Sequence, residues 1–475
     1  MRYVPTIGLE IHSQLATNTK IFCGCSTEFG SDPNTHSCPV CLGMPGVLPV
    51  LNERAVELAM RMAIITNGTV ADRSYFARKN YFYPDLPKGY QVSMFEHPLV
   101  IGGYMDVTSE TGTKRIRLNR IHLEEDAGKL IHAEGHRESY FDVNRCGVPL
   151  IEIVTEPDFD TVEQVSVFLN TLKEMLIFTG VSRGNMEQGN IRVDANISIR
   201  PENQKELGTR TEIKNMNSFV NAVDAIGIEI ERQIEVVENG GRITQETLLF
   251  DADHQTLASM RSKEEAHDYR YFPEPDLVPI LVTDEWVDRV RKTIPELRSG
   301  YTQRFVDEYG IPVYDADILT QTPDIAKYYD DTVKAGSDPK KASNWIMVEV
   351  LRVLNETQTS AGEFKVKPDM LAELVAMIDR GDISGSIAKT VFEDMVVTGK
   401  NPEAIVKEKG LVQISDSSEL EKLVRGVIDA SPKEVDKYKA GNTKLIGFFV
   451  GQVMKATQGK ANPKEVNRIL KEILG

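Results

Sequence analysis

Every clear strand signal in this 475-residue chain lies before about residue 285, and the remainder carries the spacing of helices. In the first part TIGLEIH, IRVDANISIR and TRTEIK alternate apolar and polar residues with period two, as half-buried strands do. Helical patterns intervene. Asp160 is the expected cap of TVEQVSVFLNTLKEML, with Glu163 in the capping-box position and an apolar stripe of Val162, Val165, Leu169, Leu172 and Leu176 ending at Gly180. A second stripe runs from Phe219 through Val223, Ile226, Ile230, Ile234 and Val237 to Asn239-Gly240-Gly241. The prolines of DYRYFPEPDLVPI then break any regular element, and EWVDRVRKTIPELRSGYTQRFVDEYG, DILTQTPDIAKYYDDTVKAG and KPDMLAELVAMIDRG read as helices with short connections. The order predicts an α+β fold: a mixed domain, then helical ones.

The length is too great for one core, given roughly 100 to 200 residues per domain. A hydrophobic content of 41% with 27% charged residues is ordinary for a globular protein, and no apolar stretch approaches the roughly 18 to 20 residues of a membrane span. The N-terminus lacks a basic segment followed by an apolar run, so the expected compartment is the reducing cytoplasm, where disulfides are rare. A net charge of −16 argues against indiscriminate nucleic-acid binding. The C-terminal segment reverses that balance: Lys433, Lys437, Lys439, Lys444, Lys455, Lys460, Lys464, Arg468 and Lys471 face only Glu434, Asp436, Glu465 and Glu472, a candidate polyanion contact.

Four of the five cysteines fall in CGCSTEFGSDPNTHSCPVC. Cys23-x-Cys25 and Cys38-x-x-Cys41 have the spacing of two knuckles that bring four thiolates around one tetrahedral ion, which favours zinc in a cytosolic protein. Redox chemistry at Cys-Pro-Val-Cys is the rival, weakened because such a motif opens a helix after a strand and does not need a second pair. Four thiolates leave no open coordination position, so the site is expected to staple a loop while catalysis lies elsewhere. Cys146, alone in NRCGVPLIE, reads as a small buried hydrophobe.

The polar faces of the strands are the other candidate. Alternation puts Glu10 and His12 on one side of TIGLEIH, Arg192, Asp194 and Asn196 on one side of IRVDANISIR, and Arg210, Glu212 and Lys214 together in TRTEIK. Glu152 is enclosed by apolar residues in VPLIEIV and needs a cation, a metal or a proton. Glu124, Glu125 and Asp126 form a triplet in IHLEEDAGK. Glu10, His12, a residue of the triplet, Glu152, Asp194 and Glu212 together are suited to magnesium, which takes a few carboxylates, waters and substrate phosphates. RKNYFYPDLPKGYQ adds Lys79, Lys88, Tyr81, Tyr83 and Tyr90 around a Pro-Asp turn, a composition that suits a nucleotide or an RNA end. There is no G-x-x-x-x-G-K-[ST] loop and no G-x-G-x-x-G, so any ATP is held by metal and side chains.

IGLEIHSQL, MPGVLPVLN, RKNYFYPDLPKGYQ, HLEEDAGK, VPLIEIVTEPD, IRVDANIS, EIKNMNSF, DYRYFPEPDLVP and VGQVMKATQGKANPKEVN resemble, in order and from end to end, the GatB family, the B subunits of the glutamyl/aspartyl-tRNA amidotransferases. One departure is Gln188 in MEQGNIRVDAN, where an acid is expected. The resemblance implies a cradle-shaped catalytic domain over residues 1–293 carrying the cysteine loop, a helical domain over 294–405 and a tRNA-binding helical tail over 406–475. It implies ATP-dependent phosphorylation of the side-chain carboxylate of misacylated Glu-tRNA(Gln) or Asp-tRNA(Asn), followed by amidation. Magnesium is placed at His12, Glu125 and Glu152, with Glu10, Asp194 and Glu212 as further ligands and Glu124 as the alternative to Glu125. Lys79, Arg192, Arg210 and Lys214 are the candidates for neutralising charge, with Lys79, Tyr81, Lys88 and Arg192 for the nucleotide. Lys444, Lys455, Lys460 and Lys464 are the candidates for the tRNA. Ammonia is expected from a separate amidase (glutaminase) chain, the A subunit, while a small C subunit braces the pair. The competing readings are a noncatalytic tRNA-binding scaffold and a metal-dependent hydrolase.

Overall fold

The computed structural model describes residues 2–110, 112–132, 138–260, 269–411, 417–457 and 461–475. The chain divides into two compact units, Met1–Leu297 and Arg298–Gly475. A mixed, sheet-rich N-terminal region is followed by a helical C-terminal one, as the change of period predicts.

The first unit is built on a ten-stranded sheet. Its principal elements are β1 (Tyr3–Gln14), α1 (Glu53–Ile65), β2 (Gly112–Glu125), β3 (Pro149–Thr155), α2 (Val162–Phe178), β4 (Ile191–Pro201), β5 (Thr211–Met216) and α3 (Phe219–Glu238). The central order is β5-β4-β1-β3-β2 with every neighbour antiparallel. One face of this run is apolar: Ile7, Leu9 and Ile11 of β1, Ile151 and Ile153 of β3, Ile121 and Leu123 of β2, and Val193, Ala195 and Ile197 of β4 are buried. They form one core with Val165, Leu169, Leu172 and Leu176 of α2, Ala222 and Ile226 of α3, and Leu58 and Met62 of α1. Helices therefore cover one side of the sheet, and the opposite side is left for polar residues.

Local signals set the helix ends with one shift. α2 is capped by Thr161, whose hydroxyl accepts from Gln164 N at 3.2 Å. The expected cap, Asp160, instead receives Lys114 Nζ at 2.5 Å, an ion pair that removes its carboxylate from the helix end. Glu163 accepts from Glu110 N at 2.8 Å. α3 begins after Ser218, whose hydroxyl accepts from Asn221 N, and stops at Asn239 before the two glycines.

Beside the main sheet, Ala77–Asn80 pairs with Tyr90–Ser93 on one side and Phe272–Pro273 on the other. This small sheet brings the two Tyr-rich segments of the sequence together. The second unit carries two separate apolar clusters, one around Phe305, Tyr329, Leu371 and Phe392, the other around Leu420, Phe449, Val466 and Leu470. Leu172 is buried between α2 and the sheet; Leu172→Ala removes its packing and should cost about 2–5 kcal/mol of unfolding free energy in the first unit, read from its denaturant transition.

Candidate functional site

Register decides which polar side chains meet. His12 lies opposite Glu152 of β3 and Arg192 of β4, and Glu152 lies opposite His122 of β2. Because alternation is strict, Glu10 and His12, Glu152, His122 and Glu124, and Arg192, Asp194 and Asn196 all leave the sheet on the side away from the helices. His12 Nε2 stands 3.5 Å from Glu124 Oε1 and 3.5 Å from Glu152 Oε2. His122 Nε2 stands 3.2 Å from Glu152 Oε2 and 3.8 Å from Glu124 Oε2. Ser93 Oγ, from the small sheet, donates to Glu124 at 3.2 Å. One ligand atom each from His12, Glu124 and Glu152 falls within 4.8 Å of the others, close enough to share one ion.

Burial alone would make every one of these groups neutral, and mutual attraction reverses it. Burial disfavours a charged His122, but the Glu152 charge and hydrogen bonds with Glu124 and Glu152 lift it to about 9. His12 is raised in the same way, against burial, by its hydrogen bond to Glu152 and the charges of Glu124 and Glu152. Glu152 is pulled well below the usual carboxylate range, and Glu124 is lowered too, both against burial and through the two histidines. Glu10 behaves differently: burial, then Glu152, Glu212 and Asp194, push it up, with Lys214 opposing. Asn196 donates to its carboxylate at 3.1 Å.

The remaining expected residues separate into distinct groups. Glu125, which the resemblance places among the magnesium ligands with Glu124 as its alternative, is not among the three residues whose ligand atoms gather within 4.8 Å. It points to the other side of β2, where Lys88 Nζ donates to its Oε2 at 2.7 Å and Val92 N to its Oε1 at 2.8 Å. The reason is the period of the strand: adjacent residues cannot share a face, and His122 fixes the face to which Glu124 belongs. Lys88 is thereby committed to a carboxylate of its own chain. Arg192 donates to Asp126 at 2.7 Å, and Gln14 donates to the same carboxylate at 2.8 Å. Lys214 sits 3.2 Å from Asp194 and 3.0 Å from Glu212, so these two carboxylates already hold a cation. Arg210 is exposed just before β5 and has no ion pair among the described residues.

Lys79 remains open to a ligand. Its ammonium lies 4.9 Å from the Tyr269 ring and 5.9 Å from the Tyr81 ring, and it has no ion pair among the described residues. Tyr81 packs edge-on against Tyr269, while Tyr271 stacks on Phe95 at 4.2 Å. Burial raises the phenols of Tyr81 and Tyr271, with Asp85 and then Glu124 adding at Tyr81 and Glu124 and Glu152 adding at Tyr271. Tyr83 is exposed, and Tyr90 lies under Arg78 at 4.3 Å. In the second unit Lys444, Lys455 and Lys464 are exposed; Lys460 lies outside the described residues.

The four cysteine sulfurs lie within 4.8 Å of one another. A zinc ion with bonds of about 2.3 Å separates its sulfurs by about 3.8 Å, so the donor set and spacing fit a structural metal. Cys38 N donates to Cys41 Sγ at 3.2 Å, which ties the two ends of the C-x-x-C segment together. A hydrogen bond from Cys23, together with the Cys38 backbone and the Lys20 charge, holds the Cys41 thiol down to about 4 against burial. The loop between the two pairs is anchored on residues 141–144: Asn34 donates to Asp142 and Phe141, and His36 N donates to Asn144 at 2.8 Å. Cys146 is buried, its thiol pushed up to about 12 by burial.

Known proteins share this chain's sequence along nearly all of its length. The family profile described as GatB/GatE catalytic domain matches residues 5–288, and one described as GatB domain matches residues 327–474. The chain belongs to the family of amidotransferase B subunits. A protein of Carboxydothermus hydrogenoformans, named as the B subunit of an aspartyl/glutamyl-tRNA(Asn/Gln) amidotransferase, is 53% identical over 476 residues, covering 99% of each chain. Proteins of the same name from Thermodesulfovibrio yellowstonii and Caldicellulosiruptor saccharolyticus are 53% identical over 474 residues and 54% identical over 477, covering at least 99% of both chains. As a member of this amidotransferase family, the chain is part of a ligase-type enzyme, and a B subunit implies an assembly of several chains. Among the described residues no helix is long and apolar enough to cross a membrane.

Sequence reasoning missed His122. Its signal was present in RIHLEE, where Arg120, His122 and Glu124 alternate with Ile121, Leu123 and Glu125. In metal-free protein the raised His122 adds stability that is full below its ordinary value of about 6.5 and is lost as pH rises through about 9. Thermal midpoints in chelator should therefore fall between those pH values, and His122→Gln should flatten the fall.

Proposed function

We propose that this chain phosphorylates the side-chain carboxylate of misacylated Glu-tRNA(Gln), Asp-tRNA(Asn) or both with ATP, and then directs ammonia onto the acyl phosphate to give the amide. The observation that carries the reading is the His12–Glu124–Glu152 cluster on the open face of the sheet, touched by Ser93 of the small sheet, whose flanking segments hold Lys79 against the rings of Tyr81 and Tyr269.

A carboxylate is a poor electrophile because its oxygen is a poor leaving group, and transferring a phosphoryl group to it removes that obstacle. Two anions must first approach. His12, Glu124 and Glu152 would hold magnesium, which screens that repulsion and orients the triphosphate. Lys79 offers a charge to the phosphates, and Tyr81, Tyr269 and Tyr271 offer aromatic surface to a base. Glu10, already raised by its acidic neighbours, is a carboxylate ready to take a further cation or a proton. Asp194 and Glu212 act through Lys214, and Asp126 holds Arg192 at the rim.

Ammonia in this reading comes from a glutaminase partner, the A subunit, with a small C subunit in the same assembly, and the work is cytoplasmic. The exposed Lys444, Lys455 and Lys464 fit contact with tRNA phosphates, whose affinity falls steeply with salt. The four cysteines hold a structural zinc that fixes the loop leading into MPGVLP.

The assembled enzyme, given ATP, magnesium, ammonium and misacylated tRNA, should form amide. Glu152→Gln and Glu124→Gln should each lower turnover by at least about 100-fold with tRNA affinity within about twofold. Tight tRNA binding with no amide from the wild-type assembly would support a scaffold instead, and equal ATP turnover without acyl-tRNA a hydrolase.

A further inference from the structure

Lys20 is fully buried, with no exposed surface, just before the first knuckle. Its ammonium donates to His36 O at 2.7 Å and Val143 O at 3.2 Å, and it lies 3.7 Å from Cys41 Sγ. Among the described residues no carboxylate forms an ion pair with it. The nearby acid Glu125 is engaged by Lys88 and a backbone N–H. An ammonium buried without counter-charge is strongly unfavourable, and two carbonyl dipoles do not supply a formal negative charge.

The knuckles do supply one. Four thiolates around a divalent ion carry a net formal charge of minus two, and Cys41 is the buried member of the set. Geometry also favours contact here over a chance approach. Lys20 N donates to Cys25 O at 3.0 Å, and Ile21 N donates to Gly147 O at 2.8 Å, so its backbone is pinned between the knuckle and the 143–147 turn. Gly147 has φ +75°, and a Cβ there would lie 3.7 Å from Lys20 Cδ and 3.8 Å from Cys41 Cβ. The side chain is packed against the cysteine by residues on both sides.

We propose that Lys20 is the charge-balancing and sulfur-orienting partner of the four-cysteine zinc site, donating an N–H···S hydrogen bond to Cys41 while its other protons bind His36 O and Val143 O. This rests on the zinc reading of the four cysteines. Lys20 is a positioning residue: it touches no reacting atom and acts through the metal ligand. It also joins three segments, the knuckle, the loop between the cysteine pairs and the turn after residue 142, at one buried charge.

The test uses the full chain in its assembly. Metal analysis of the wild type comes first, then the rate of zinc release to a chelator for wild type and Lys20→Met, and the thiolate-to-metal charge-transfer band of the cobalt-substituted forms. Lys20→Met keeps the length of the side chain and removes its charge and donors. The proposal predicts one zinc per chain, release about tenfold faster or more in the variant, and a charge-transfer band moved to lower energy. Wild-type protein with selectively labelled lysine nitrogen and an NMR-active cadmium in place of zinc gives a reading that needs no variant. One slowly exchanging ammonium should show coupling to the metal. If the wild type holds one zinc but the variant matches it in release and spectrum, or no lysine couples to cadmium, the Lys20 role is overturned and the zinc site stands. If the wild type binds no zinc, both fall.

Discussion

A strand sends successive side chains to opposite faces, so five antiparallel strands in fixed register build two walls at once. In this chain one wall is Ile, Leu, Val and Ala under three helices, and it sets the register. The other wall is then determined in full: His12 meets Glu152, Glu152 meets His122, and Glu10 meets Asp194. A slip by one residue would bury every charge of the second wall in the core, which is why the apolar face holds the polar one in place.

The polar wall divides by electrostatics. Where histidines are interleaved with carboxylates, each group favours the charge of the other: the imidazoles are raised and the acids lowered against their burial. Where lysine is interleaved, as at Lys214 with Asp194 and Glu212, the cation is permanent. Glu10 lies between the two groups and carries the strain of both. A divalent cation held at His12, Glu124 and Glu152 would exchange with protons, which would link metal binding and pH at this place.

Much of this was readable from period alone. The strands TIGLEIH, IRVDANISIR and TRTEIK form as their alternation requires, the helices after Thr161 and Ser218 run close to their expected ends, and strands cease at Leu281, ahead of the helical second unit that begins at Arg298. The four cysteines gather as their spacing implies. What period could not supply was strand order and side-chain reach. Face membership puts Glu10, His12, Glu152, Asp194 and Glu212 on one wall, but which of them touch depends on β1 lying between β3 and β4. His122 escaped notice because a lone histidine before an acidic triplet carries no motif of its own. Lys88 and Lys20 are the same lesson in another form: a flexible four-carbon stem can carry its charge to a carboxylate or sulfur remote in sequence, and nothing local announces the partner.

The claim on which the account turns is that Glu124, and not Glu125, shares a cation with His12 and Glu152. Manganese is a paramagnetic substitute for magnesium, and its binding to the assembled protein can be titrated by electron paramagnetic resonance in wild type, Glu124→Gln and Glu125→Gln. The account predicts that Glu124→Gln weakens manganese binding by at least about tenfold while Glu125→Gln, which disturbs the Lys88 and Val92 contacts on the other side of β2, leaves it within about twofold. Loss of manganese binding in Glu125→Gln with full retention in Glu124→Gln would contradict it.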